Sequence, residues 1–195
     1  MLLNRKTYVV KERVAIAKLT NTFDLLDAAT SAPIGIAKEE PPSWAVWLRL
    51  FVKRAMMPTI VNVYENESPT PFLSVQRGWT FLRPRVSVTL NGRPIGAFQK
   101  NALSLREAFQ MFDAQNNQIG KVQGDWKGWS FQMLDANGQE LGSATKKWAG
   151  LGKELFTNAN TYVIDLSDAT VAREELAALM LAAGLAIEIV FKEGR

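Results

Sequence analysis

Two groups of residues have the make-up of a surface that holds acidic headgroups. The first lies in Ser43 to Met57, SWAVWLRLFVKRAMM, where Trp44, Trp47 and Phe51 stand beside Arg49, Lys53 and Arg54. Aromatic rings settle at a lipid–water boundary, and each cation near an anionic surface contributes about 1 kcal/mol. The second is Arg77, Arg83 and Arg85 beside Trp79 and Phe81. A cationic patch with aromatics suits a phosphoinositide headgroup, with nucleic acid as the less favoured partner. Much other chemistry is excluded, because the chain has no His and no Cys. A Cys/His zinc site, a Ser–His pair, a thiol nucleophile and a disulfide framework all require them. Carboxylates are scattered with no pair that stands out as acid and base. Gly150-Leu151-Gly152-Lys153 lacks the spacing and the Ser/Thr of a phosphate loop. No catalytic residue and no cofactor are therefore assigned.

The elements that must position these residues are mostly strands. Phe109 and Met111 alternate with Gln110, and Phe131 and Met133 with Gln132, the period of a half-buried strand. A unit of strand, polar turn, apolar residue, Gly and strand begins at Phe23, Phe109 and Phe131, and more weakly at Val86. Asn91-Gly92 and Asn137-Gly138 are hairpin signals for type I′ turns. Trp126 and Trp129 flank Lys127-Gly128, and are expected to bracket a hairpin and cover the barrel's edges, with a cation over an indole face. Gln110, Gln118, Gln123, Gln132 and Gln139 read as a solvated outer face. The pattern predicts about twelve strands: 7–14, 21–27, 34–38, 59–64, 72–77, 85–90, 95–100, 106–113, 118–124, 128–135, 140–147 and 161–166. So many strands must manage their edges, and closure into a barrel does so most cleanly.

Two segments break the strand pattern. From Ser43 to Met57, Trp44, Trp47, Leu48, Phe51, Val52 and Ala55 share one helical face, after Pro41-Pro42 and before Pro58. That face either lies in a membrane interface or packs on the barrel rim. The second segment, Asp168 to about Phe191, starts with Asp168 at the cap and Glu174 and Glu175 in its early turns. It then becomes apolar all round, with Ala177, Ala178, Ala182, Ala183 and Gly184 keeping it slim. Such a helix must be surrounded by protein. About 20 residues span roughly 30 Å, enough to thread a barrel too wide to fill itself with side chains. The uncharged run Leu176–Ile187 is shorter than the roughly 18 residues of a membrane span.

Lys146-Lys147-Trp148-Ala149-Gly150-Leu151-Gly152-Lys153-Glu154-Leu155-Phe156-Thr157-Asn158-Ala159-Asn160-Thr161-Tyr162 resembles a K-x-W-x-G-x-x-x-E-x-F-T-D-A-D-x-F/Y stretch of the phospholipid scramblase and LURP-one-related family. The YVVKER start and the F-x-φ-x-D-x-x-G hairpins fit the same family. The resemblance implies a tubby-like barrel of twelve strands around a central apolar helix. It also brings departures. The Cys-rich palmitoylation cluster and the Pro-rich arm of animal scramblases have no counterpart here. Asn158 and Asn160 stand where the proposed calcium segment of scramblases is acidic, leaving Asp165 and Asp168. Calcium favours several charged oxygens, so no metal site is expected from this degenerate segment.

The length of 195 residues and a net charge of +4 suit one mildly basic domain over the whole chain. No apolar signal region precedes the first strand, and the expected location is cytoplasmic with peripheral contact to a membrane. The expected fold is mostly β (α+β): a closed antiparallel barrel around a buried C-terminal helix, with one amphipathic helix at the rim. The expected role is that of a non-enzymatic ligand- or membrane-surface-binding barrel, with acidic phospholipid headgroups as the candidate ligand. Two alternatives stand beside it: a lipid scramblase that inserts its C-terminal helix, and a nucleic-acid-binding regulator.

Overall fold

The computed structural model describes residues 2–13, 20–44, 57–65, 68–79, 85–100, 107–125, 127–146 and 161–188. Its strands are β1 (Thr7–Glu12), β2 (Thr22–Asp27), β3 (Pro33–Glu39), β4 (Thr59–Glu65), β5 (Leu73–Arg77) and β6 (Arg85–Leu90). They continue as β7 (Arg93–Gln99), β8 (Glu107–Asp113), β9 (Gln118–Asp125), β10 (Ser130–Asp135), β11 (Glu140–Thr145) and β12 (Thr161–Leu166). Each pairs antiparallel with its neighbours in sequence, and β1 pairs with β12, with Val10 opposite Tyr162, so the sheet closes into a twelve-stranded barrel. Register shifts such as that between Val88 and Thr89 bend the strands toward closure.

Alternation fixes which face is which. Phe23, Leu25, Val61, Val75, Val88, Phe109, Met111, Phe131 and Met133 are buried. Between them, Lys38, Gln76, Ser87 and Gln132 are exposed. Of the expected outer glutamines, Gln118, Gln132 and Gln139 are exposed and Gln110 and Gln123 half-buried. This apolar-inside, polar-outside order is the reverse of a barrel that crosses a membrane by its strands.

The barrel is filled by the C-terminal helix, in two pieces instead of the single expected one. Helix α1 (Asp168–Val171) is capped by Ser167, whose hydroxyl accepts from the Thr170 amide at 3.2 Å; Asp168 is therefore in the first turn and not at the cap. The Thr170 hydroxyl donates to the Leu141 carbonyl at 2.8 Å, tying α1 to the start of β11. Arg173 is extended, at φ −123° and ψ 99°, and separates α1 from α2 (Glu174–Ala186). A chain that leaves β12 in the wall must turn to enter the barrel's axis, and the extended Arg173 makes that turn. Every α2 residue from Ala177 to Ala186 is buried, and α2 packs against β5, β6, β7, β11 and β12. Leu179, Met180 and Ala183 are 2 %, 0 % and 0 % exposed, so the helix is surrounded on all sides. Gly184 admits Ile164 of β12: a Cβ there would overlap Cγ1 and Cδ1 of that side chain.

The hairpins follow their sequences with one difference. Asn91 and Gly92 are both left-handed, at φ 49° and 78°, as a type I′ turn needs. At Asn137-Gly138 only Gly138, at φ 84°, is left-handed. The Asp135 carboxylate accepts from the amides of Asn137 and Gln139, at 2.9 and 2.8 Å, and closes a longer loop in place of the two-residue turn. Of the segment expected as an amphipathic helix, Ser43 and Trp44 are helical, and residues 45–56 lie outside the described ones.

Candidate functional site

The topology divides the barrel into two unlike ends. Tight turns at 28–32, 91–92, 114–117 and 136–139 lie at one end, together with Ser167. That end is sealed by the buried Leu2 and Leu3, where the Tyr8 hydroxyl donates to the Leu2 carbonyl at 3.0 Å. A cavity of about 80 Å3 sits there beside Leu2, Phe72, Leu90 and Glu174, and touches none of the residues expected to bind a ligand. Residues 68–72, which lead into β5, lie at that end too, and the strand ends at Glu12, Glu39, Arg77, Gln99, Asp125 and Thr145 lie at the opposite, open one, toward which α2 runs.

At this open end Trp44 and Trp79 meet. They come from the β3–β4 and β5–β6 connections, and their rings stack with centroids 5.6 Å apart and planes inclined by 15°. They are 49 % and 50 % exposed, in a protein whose other large hydrophobic residues, among those described, are covered. Two stacked indoles in water form a flat apolar step, and stacking itself contributes about 0.5–1.5 kcal/mol.

The expected cations are placed differently from one another. Arg77 continues the inward row Leu73, Val75 and is 3 % exposed. Its Nε and Nη2 donate to the Met57 carbonyl at 3.3 and 3.1 Å, so it holds the start of β4 from inside the wall. A β-strand's period of two dictates this, since Arg77 shares the parity of the core residues. Arg85 points outward: Nη1 donates to Gln99 Oε1 at 3.3 Å and Nη2 to Asn116 Oδ1 at 2.6 Å, with its guanidinium 5.3 Å from the Phe112 ring. Trp47, Arg49, Phe51, Lys53, Arg54 and Arg83 lie outside the described residues, as do Asn158 and Asn160. Asp165 accepts from the Thr7 hydroxyl at 2.6 Å across the β1–β12 pair. Among the described residues no three acidic side chains gather as a metal site would need.

A second cluster at the open end was only partly visible in the sequence. Trp129 does not cover an edge; it is 7 % exposed and turned into the barrel, where its ring lies 4.6 Å from that of Tyr162 and 5.6 Å from that of Phe131. A cation does lie over an indole, but it is Lys146 and not Lys127 of the turn: its Nζ lies 5.2 Å from the Trp129 ring centroid and 4.0 Å from Glu188 Oε1. Burial, then the Glu188 and Glu12 carboxylates, hold the Tyr162 hydroxyl well above its usual range, so it stays protonated. Trp129 is left-handed, at φ 46°, directly after Gly128, which is not. A Gly one position too early is the sequence signal of this turn, and it is legible only once the pairing of β9 with β10 is known.

A wide antiparallel barrel filled by its own helix, with no catalytic constellation among its described residues, defines the class: helix-plugged β-barrels. The family model described as Scramblase matches residues 19–193, nearly the whole chain, and the protein belongs to the scramblase family. No curated protein and no solved structure matches it.

Proposed function

We propose that this scramblase-family barrel is a non-enzymatic module that binds the surface of an acidic membrane from the cytoplasmic side. The exposed, stacked pair Trp44–Trp79 at the open end carries this reading. Indoles of this kind enter the headgroup layer while neighbouring cations attract anionic lipid. Trp44 begins the segment that contains Arg49, Lys53 and Arg54, and Trp79 is followed by Arg83 and Arg85. Insertion of the C-terminal helix is disfavoured. Helix α2 has 13 residues, or about 20 Å at 1.5 Å per residue, against a hydrocarbon core of about 30 Å. Its removal would also expose the apolar lining of the barrel.

Vesicle flotation tests the reading. The wild type should float with vesicles containing phosphatidylserine or a phosphoinositide and stay unbound with neutral phosphatidylcholine vesicles. The double variant Trp44→Ala/Trp79→Ala should keep its fold and lose most of the bound fraction. Equal flotation of variant and wild type would remove the tryptophan pair from the account.

A further inference from the structure

Four observations converge on the open mouth of the barrel, at residues for which surface binding has no use. Trp129, a bulky residue, holds a left-handed backbone, φ 46°, where a glycine is ordinarily found. Strain of this sort persists only where the surroundings enforce it, and it gathers at ligand sites. It turns the indole inward, and the turn is held by Asp125, which accepts from the amides of Lys127 and Gly128, each at 2.9 Å. Second, the buried Trp129 Nε1 and Tyr162 hydroxyl have no hydrogen-bond partner among the described residues. A buried donor left without an acceptor carries its full desolvation penalty. Third, Glu188, 6 % exposed, lies in a wide π-type turn that continues α2, and its carboxylate faces Lys146. Fourth, the Lys146 ammonium lies over the Trp129 ring within the roughly 6 Å reach of a cation–π contact. The Lys146 amide also donates to the Trp129 carbonyl at 3.1 Å, so the two residues are fixed side by side.

We infer that an aromatic and carboxylate box made by Trp129, Tyr162 and Glu188 is a site for a small primary ammonium group, and that Lys146 occupies it as an internal stand-in. The Trp129 ring face and the Glu188 carboxylate are the two elements beside the Lys146 ammonium that recognise such a group. The Nε1–H and the hydroxyl call for an acceptor oxygen a few bonds away on the same ligand. Lys146 supplies the first feature and not the second. An amino alcohol or its phosphate ester supplies both. The Lys146 side chain is 24 % exposed and can leave toward water. The site does not depend on membrane contact.

The test uses the full chain labelled with 15N, reading the Trp129 indole N–H resonance, identified by its loss in Trp129→Phe. Ethanolamine should move that resonance saturably in the wild type, and ethylamine, which lacks the oxygen, should bind at least several-fold more weakly. Lys146→Ala should tighten ethanolamine binding at least tenfold, and Lys146→Met, which keeps the stem and removes the charge, serves if the alanine variant does not fold. Glu188→Gln should weaken binding at least tenfold. Tighter binding of glycerophosphoethanolamine than of ethanolamine would assign a lipid headgroup as the source, and equal binding a free amino alcohol; either supports the box. A Trp129 resonance unmoved by ethanolamine in the wild type and in the Lys146 variants would overturn the inference, as would binding no tighter without the lysine charge.

Discussion

Tyr8 and Tyr162 lie wholly inside the barrel, and burial raises the pKa of both hydroxyls. In the unfolded chain a tyrosine loses its proton near pH 10. Above about pH 10 the unfolded state therefore binds fewer protons than the folded one, and stability falls as pH rises further. Below pH 10 both states are protonated and these residues add no pH dependence. Tyr64 is raised as well, by burial and by the Glu40 carboxylate to which it donates at 2.7 Å, yet as the only one of the three that is half-buried it should be the first to give tyrosinate absorbance. Free ionisation of all three near pH 10 in the folded protein would contradict the burial. Asp165 is similarly committed to structure by its bond to Thr7. Calorimetric titration with calcium should show no specific uptake, and a sub-millimolar one-to-one isotherm abolished by Asp165→Asn would overturn that expectation.

The central helix is the element on which the barrel depends. Fully burying Leu179, Met180, Leu181, Leu185 and Ile187 contributes about 1.5–3 kcal/mol for each side chain, a sum comparable to the whole stability of a domain. A chain ending before Leu176 should not fold, and a soluble truncation product with a cooperative melt would refute the barrel-and-plug architecture. Gly184→Val should overpack Ile164 and lower stability by about 1–3 kcal/mol in chemical denaturation. Both the strands and this helix were readable in the sequence, for a local reason. Period-two alternation marks the strands without reference to their neighbours, Asn91-Gly92 marks its own turn, and an all-round apolar helix states its own burial. The break at Arg173 was not readable, because no Gly or Pro marks it and only the geometry of entering the barrel demands it. Arg77 has the look of a surface cation until β5 is placed, when the inward parity it shares with Leu73 and Val75 becomes plain. Trp129, Lys146 and Tyr162 come together through the pairing of β10 with β11 and of β11 with β12, and Glu188 joins them only through the return of α2 along the barrel axis, which no window of sequence contains.

At the scale of the whole molecule, the two ends have separate tasks. Tight hairpins and the N-terminal Leu2 and Leu3 seal one end. The Trp44–Trp79 pair and the Lys146–Trp129 contact share the other. Among the described residues no helix is long and apolar enough to cross a membrane, and the polar outer wall of the barrel does not suit lipid. The proposed attachment to a bilayer is peripheral and electrostatically assisted, so raising the salt concentration should release it. The most direct measurement is hydrogen exchange on the protein bound to acidic vesicles. Amides of residues 177–186 should keep the protection they have in solution, and protection should rise around Trp44 and Trp79 alone. Altered exchange across residues 177–186, with attachment that survives high salt, would show that the helix leaves the barrel for the lipid and would contradict the account.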